Sequence, residues 1–257
     1  MTTSDLHRLV KQQFNQQAQN FSNWSVTQNK EYHQAYFDFC QFKPEDTLLD
    51  LACGTGEWAM FCAPKIKFVQ GIDISGGMIE IAAKQAEAQN LKNMNFVCQP
   101  VERTPFPDNS FSIVTCKSAF HHFSQYEAIF EEMIRCCESD GRISIQDIAA
   151  YSDATVNSYF EELERQIDVS HHNTLAKEFL IDLYTKKNIQ ISQTYEIEVE
   201  LNFREYLTHA KQSELSLKKI EMLLEKGLND ASISKFYLIK ENEIYFKRTA
   251  FIILGKK

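Results

Sequence analysis

The segment from Leu48 to Ala59, Leu-Leu-Asp-Leu-Ala-Cys-Gly-Thr-Gly-Glu-Trp-Ala, constrains the fold more than any other part of the chain. Its leucines around a single acid read as a strand buried on both faces, and such strands belong to parallel sheets covered by helices. Gly54 and Gly56 then admit backbone conformations closed to other residues and let a ligand approach the main chain closely. A helix starting after them supplies unpaired N–H groups, so the turn suits a nucleotide-like ligand. Asp50, at the strand end, adds an acceptor.

The same unit recurs downstream. Lys67 to Asp73 reads as a second strand ending in an acid, Ser75 as the N-cap of a helix reaching about Ala88, and Asn95 to Cys98 as a third strand. After the turn cluster Pro105 to Asn109, Phe111 to Cys116 resumes the sheet. Tyr126, Ile129, Phe130, Met133, Ile134 and Cys137 fall at i, i+3, i+4, i+7, i+8 and i+11, which predicts a helix, and Asp140-Gly141 turns into a fifth strand, Arg142 to Ile148. Ahead of this, residues 4–21 carry Leu6, Leu9, Val10, Phe14, Ala18 and Phe21 at helical spacing, and Asn29 to Cys40 forms a second helix.

From about Ala149 the alternation changes. Val156, Tyr159, Phe160, Leu163 and Ile167 predict an amphipathic helix where a compact doubly wound domain passes directly to its next crossover, so an inserted cap is expected. Residues 174–187 form the crossover helix, Tyr195 to Leu201 a half-exposed strand alternating with glutamates, Leu217 to Leu228 a second cap helix, and Ile244 to Leu254 a long last strand. The expected architecture is α/β, a doubly wound, seven-stranded, mostly parallel sheet of Rossmann-like type. Without linker or repeat, residues 1–257 form one domain: an N-terminal helical lid at 1–45, a ligand-binding core at 46–148, cap insertions at 149–172 and 202–235, and the remaining sheet at 173–201 and 236–257.

Composition narrows the partners. A charge of −8 from 35 acidic and 27 basic residues, with no basic patch, disfavours a phosphate backbone, so nucleic acid is not expected. No apolar run approaches the roughly 20 residues that cross a bilayer, so no membrane insertion is expected. Met1 to Arg8 lack the apolar core and cleavage site of a secretory signal, which makes the cytoplasm the expected location. Seven cysteines without a Cys-x-x-Cys pair indicate neither a disulfide framework nor a zinc site, and no metal is expected. A small-molecule partner and a monomer or homodimer remain.

Gly54-Thr-Gly56-Glu-Trp-Ala59 satisfies Gly-x-Gly-x-x-Gly/Ala, and Asp73 lies at about the 20-residue distance of an acid that binds ribose hydroxyls. These features alone suit a nicotinamide-dependent oxidoreductase equally well. Asp50 separates the readings, because an acid ahead of the glycines repels a pyrophosphate but can neighbour an ammonium group or its waters.

Asp50-Leu-Ala-Cys-Gly-Thr-Gly56, Gly71-Ile-Asp73-Ile-Ser-x-x-Met78 and Glu102-Arg-Thr-Pro-Phe-Pro-Asp-Asn-Ser-Phe111 resemble class I S-adenosylmethionine-dependent methyltransferases, in particular the ubiquinone/menaquinone-biosynthesis type. The resemblance extends in order through Phe120-His-His-Phe123 and Gly141-Arg-Ile-Ser-Ile-Gln-Asp147 to the last strand. It implies S-adenosylmethionine as the cofactor, whose ammonium and sulfonium suit Asp50, and S-adenosylhomocysteine as the product. It further implies that Asp50, Ala52, Cys53, Gly54 and Gly56 line the methionine end and that Asp73 holds the ribose hydroxyls. Ile74 and Met78 would flank the adenine, Val101 and Glu102 lie at its edge, and Lys117 and Ser118 stand beside the methionine moiety. Phe14, Ala18 and Phe21 resemble the family's lid, with Phe21 where a tyrosine is common, so hydrophobic cover stays while a phenolic contact is missing. Two departures accompany these matches: Pro100 stands where an acid often occurs, and Ser139-Asp140-Gly141 replaces Pro-Gly-Gly.

For methyl transfer the protein must align the nucleophile, exclude water and, where needed, remove a proton. His121 and His122 follow the fourth strand at the carboxyl edge and are candidate bases, although either also fits a capping or packing role. Asp168-Val-Ser-His171-His172 resembles a pocket-bordering segment of related methyltransferases and makes His171 a third candidate. Trp24, Tyr32, Tyr36, Tyr159 and Phe160 are candidate walls for a planar substrate, although aromatic residues at helical spacing are more often plain core. The leading expectation is a methyltransferase for a small hydrophobic or aromatic metabolite. Its rivals are a non-catalytic S-adenosylmethionine-binding protein and a nicotinamide-dependent oxidoreductase.

Overall fold

A computed structural model describes residues 3–257. In chain order the elements are α1 (Thr3–Ser22), α2 (Lys30–Phe39), β1 (Thr47–Leu51), α3 (Glu57–Cys62), β2 (Phe68–Asp73), α4 (Gly76–Ala88), β3 (Met94–Cys98), β4 (Phe111–Lys117), α5 (Tyr126–Cys136) and β5 (Cys137–Ile148). They continue with α6 (Ala154–Ile167), α7 (Lys177–Lys186), β6 (Gln190–Asn202), α8 (Phe203–His209), α9 (Glu214–Asn229), β7 (Tyr237–Lys240) and β8 (Glu243–Lys256).

The sheet runs β3-β2-β1-β4-β5-β8-β6, with the first five strands parallel and β8 antiparallel to both of its neighbours. Central β1 is buried on both faces, with Leu48, Leu49 and Leu51 fully enclosed, each worth about 1.5–3 kcal/mol of hydrophobic stabilisation. Leu48 packs with Trp58, Val69 and Ile113 on one side, while Leu49 and Leu51 join Val114, Phe130 and Ile145 on the other, as the two-residue period of a strand requires. Chain order reverses between β1 and β4, and there the crevice at the strands' carboxyl ends opens.

Seven strands form this path, as the sequence implies, and an eighth, β7, pairs with β8 alone. The reading of the last strand from Ile244 misses the hairpin because its two-residue turn, Glu241-Asn242, takes positive φ of 50° and 63° without the glycine that usually signals such a turn. Helix α8 is likewise absent from the sequence reading. A separate aromatic cluster, with Phe160, Leu163, Tyr206, Tyr237 and Phe246, joins α6, α8 and β7 to β8. Among the described residues no helix is long and apolar enough to cross a membrane.

Candidate active site

A cavity of about 630 Å³ opens at the carboxyl ends of β1, β2 and β4, within the range of small-molecule sites. Helix α1 roofs it with Leu6, Val10, Phe14 and Phe21, and Ile197, Val199 and Leu201 of β6 form an apolar wall.

At one end lie the acids of the β1 and β2 termini. Asp50 is buried, and Thr115, its register partner on β4, donates its hydroxyl to Asp50 Oδ1 at 3.0 Å. Burial pushes the Asp50 carboxyl up to about 7, against the Thr115 hydrogen bond and the charge of Lys117. Asp73 spans the glycine turn: Gly54 N–H donates to its Oδ2 at 2.9 Å and Ser75 N–H to its Oδ1 at 2.8 Å. Burial raises its pKa too, partly offset by the backbone donors of Ser75, Gly54 and Ile74. Gly54 bends at φ 56° and Gly56 at φ 82°, and a Cβ on Gly56 would stand 2.8 Å from the Phe96 ring.

Two polar groups face the cavity with part of their bonding capacity unused. Lys117, at the end of β4, has no carboxylate within ion-pair distance among the described residues, and burial lowers its pKa against the pull of Asp50, Glu57 and Asp147. Glu102 gives one oxygen to His7 Nε2 of α1, while its buried Oε2 has no hydrogen-bond partner among the described residues.

The other end is rich in histidine. The Asp147 carboxylate, at the end of β5, lies 2.7 Å from His121 Nδ1 and accepts the His121 backbone N–H at 3.0 Å. Burial pulls the imidazole down, but the adjacent Asp147 charge and hydrogen bond outweigh it and hold His121 above its usual range. His122 is different: burial and the neighbouring His121 charge pull it down to about 3, so the ring is neutral. Its Nδ1 lies 3.0 Å from the Ser170 carbonyl oxygen. The Ser170 hydroxyl, also near this nitrogen, already donates to Asp168 and can only accept. His122 Nδ1 therefore carries the proton. His171 Nε2 lies 3.1 Å from Glu161, and His209 stacks on Trp24 with ring centroids 4.5 Å apart.

The cavity thus brings together Phe21, Asp50, Ala52, Cys53, Gly54, Asp73, Ile74, Met78, Val101, Glu102, Lys117, Ser118, His121, His122 and His171. Gly56 lies outside the lining, and its positive φ shapes the start of α3. Of the five proposed aromatic walls, Trp24 and Tyr32 line the cavity, whereas Tyr36, Tyr159 and Phe160 are enclosed in the cores they help to build. Tyr36 bonds Ser144 Oγ and Tyr159 bonds Tyr237. Sequence reasoning missed Asp147 as the partner of His121, although its place at a strand's carboxyl end was a usable signal. It also missed His33, Glu164, Tyr206 and His209, which no local motif marks.

Comparisons with known proteins bear on the fold that carries this site. The methyltransferase domain model matches residues 48–141. The uncharacterized methyltransferase YcgJ of Bacillus subtilis is 33% identical over 129 residues, covering 50% of this chain and 51% of YcgJ. Demethylmenaquinone methyltransferase of Symbiobacterium thermophilum is 29% identical over 141 residues, covering 52% of this chain and 56% of that protein. These matches therefore span about half the length of each relative. The crystal structure of YcgJ superposes with a TM-score of 0.79 at 24% identity, over 89% of this chain and 99% of that one. Geranyl diphosphate methyltransferase, solved in complex with SAM, superposes with a TM-score of 0.62 at 12% identity, over 88% of this chain and 84% of that one. Residues 48–141 are similar to the methyltransferase domain family, and the chain has the Rossmann-like α/β fold of the solved methyltransferases.

Proposed function

We propose that this protein transfers the methyl group of S-adenosylmethionine to a small, apolar or aromatic metabolite whose nucleophile is deprotonated by His121. One observation carries the reading: a single cavity joins the Asp50, Asp73 and Glu102 acids at one end to the Asp147-supported His121 imidazole at the other.

The first end fits the cofactor's functional groups. The unpartnered Glu102 Oε2 suits an amino-group donor, the unpaired Lys117 suits a carboxylate, and Asp50 suits an ammonium. Asp73 already accepts two backbone N–H groups, yet each carboxylate oxygen retains capacity for a ribose hydroxyl. Bound there, the sulfonium supplies the electrophilic methyl group. The protein then orients the acceptor, excludes water beneath α1 and removes a proton where the acceptor carries one. His122, held neutral near pKa 3, is too weak a base for that task, whereas His121 is kept more basic than usual by Asp147. The apolar β6 wall and Trp24 suit a hydrophobic or aromatic body. A net charge of −8 argues for such a metabolite over nucleic acid.

Isothermal titration with S-adenosylmethionine and S-adenosylhomocysteine tests the cofactor, and detection of S-adenosylhomocysteine over a metabolite panel tests transfer. Binding that Asp73→Ala abolishes, together with turnover, is expected. No binding at millimolar ligand, in wild type and variant alike, overturns the cofactor assignment. Tight binding with no product across the panel favours a non-catalytic binding protein.

A further inference from the structure

His121 and His122 are adjacent in sequence, and their rings lie side by side with centroids 4.1 Å apart. Both line the cavity, and in both the Nδ1 position is occupied: Asp147 takes one, the Ser170 carbonyl the other. A carboxylate and a carbonyl accept hydrogen bonds, so each neutral ring carries its proton on Nδ1 and keeps its lone pair on Nε2. Two neighbouring imidazoles with the same fixed tautomer present two acceptors together, and Phe14 fixes the second ring by an edge contact at 5.0 Å.

We infer that the acceptor substrate carries two hydroxyls on neighbouring carbons of an unsaturated or aromatic ring, one read by His121 Nε2 and the other by His122 Nε2. The inference rests on the methyltransferase reading and names its substrate class. A single hydroxyl satisfies one ring nitrogen and leaves the other without a donor from the substrate, and a site built to bond a hydroxyl discriminates strongly against an analogue that lacks it. The two hydroxyls have different fates, because the two rings differ in basicity. At His121 the hydroxyl proton passes to Nε2, and the resulting imidazolium remains paired with Asp147. The oxygen forms the new bond to the methyl carbon while the methyl–sulfur bond breaks, its electron pair staying on sulfur. At His122 the hydroxyl remains protonated, and its hydrogen bond orients the ring.

The test compares three compounds with the same short alkyl tail: a 1,2-dihydroxybenzene, a 1,3-dihydroxybenzene and a phenol. Binding to the full chain, with and without S-adenosylhomocysteine, is read by titration calorimetry, and transfer by S-adenosylhomocysteine formation. The 1,2-dihydroxy compound is expected to bind about tenfold more tightly than the other two and to lead in kcat/KM by a similar factor. In His122→Phe, which keeps an aromatic ring against Phe14, that lead falls to within about twofold. Equal binding of the three compounds by wild type, or a lead that persists in His122→Phe, overturns the inference and leaves the methyltransferase reading standing. Failure of the wild type to bind S-adenosylhomocysteine overturns the reading itself, while the ranking of the three compounds on the free protein still decides the histidine pair. If His122→Phe does not fold, the wild-type ranking alone decides.

Discussion

Asp147 holds His121 twice, through the ring at Nδ1, 2.7 Å away, and through the backbone N–H at 3.0 Å, so one carboxylate fixes both the tautomer and the placement of the imidazole. Glu164 and Asp168 add negative charge around the same ring, while His122 packs against it and His171 lies 5.6 Å away between centroids. A base must be neutral to act, so activity is expected to fall as pH drops through the raised pKa of His121. Asp147→Asn removes the charge that opposes burial, which lowers that pKa: the acid limb of the pH–rate profile moves to lower pH, and the plateau falls by about 10²-fold as the base weakens. The pH dependence of kcat/KM is the measurement. An unshifted limb would assign it to another group.

Asp50 carries a cost in the empty fold. Its folded pKa of about 7 lies above the unfolded value near 3.9, so folding favours the protonated form. That preference is fully present below about pH 4 and is lost as pH rises through 7, leaving the empty protein destabilised by up to about 4 kcal/mol at alkaline pH. Asp50→Asn removes the titration. Without cofactor the variant is expected to melt higher than wild type at pH 8, by roughly 4–8 °C for a gain near 2 kcal/mol, and to lose that advantage toward pH 4. Its affinity for S-adenosylmethionine is expected to fall at least tenfold. Thermal melts across pH and titration calorimetry report the two effects, and a pH-independent difference in Tm would show that Asp50 is already ionised in the empty fold.

The roof helix α1 is tied to the cofactor end at two polar points. Asn15 Oδ1 accepts from both Ser75 Oγ and Gly77 N–H at 2.8 Å, which fastens α1 to the start of α4 beside Ile74 and Met78. The His7–Glu102 contact is partly exposed, and partly exposed polar contacts contribute roughly 0–1 kcal/mol. Asn15→Ala is therefore expected to speed release of S-adenosylhomocysteine by about three- to tenfold, and His7→Ala by less. Stopped-flow displacement measures both rates, and the reverse ranking would place the main tie of the roof at Glu102.

What the sequence revealed divides along the range of the interactions. The β1 turn, Asp73 and the acid of Glu102 lie at fixed spacings from one strand, so local pattern locates them, and Asp50, Ala52, Cys53, Gly54, Asp73 and Glu102 reach the cavity while Gly56 does not. Tyr206 and His209 reach it on α8, a helix of 7 residues too short for a clear period, carried there by the long β6–β8 ribbon. Tyr159 and Phe160 show the opposite error. Their helical spacing is real, but it turns them toward Tyr237 and Phe246, and no local signal distinguishes a helix face that meets a neighbour from one that meets a ligand.

That aromatic core rests on Gly227 of α9. A Cβ at this position would stand 2.2 Å from the Tyr159 hydroxyl oxygen, which is held by the Leu223 carbonyl and by Tyr237 at 2.7 Å, and 3.1 Å from the Tyr237 ring. Helix propensity favours alanine over glycine by about 1 kcal/mol. Displacing two hydrogen-bonded tyrosines in a packed interior costs about 1–3 kcal/mol, with the lost hydrogen bonds added. The second effect exceeds the first, so Gly227→Ala is expected to destabilise the protein by about 1–2 kcal/mol despite the better helix former. Tyr159→Phe in the same background removes the clashing hydroxyl and is expected to restore part of the loss. Denaturant unfolding of the single and double variants measures the coupling, and strictly additive effects would mean that α9 shifts away from α6 without strain.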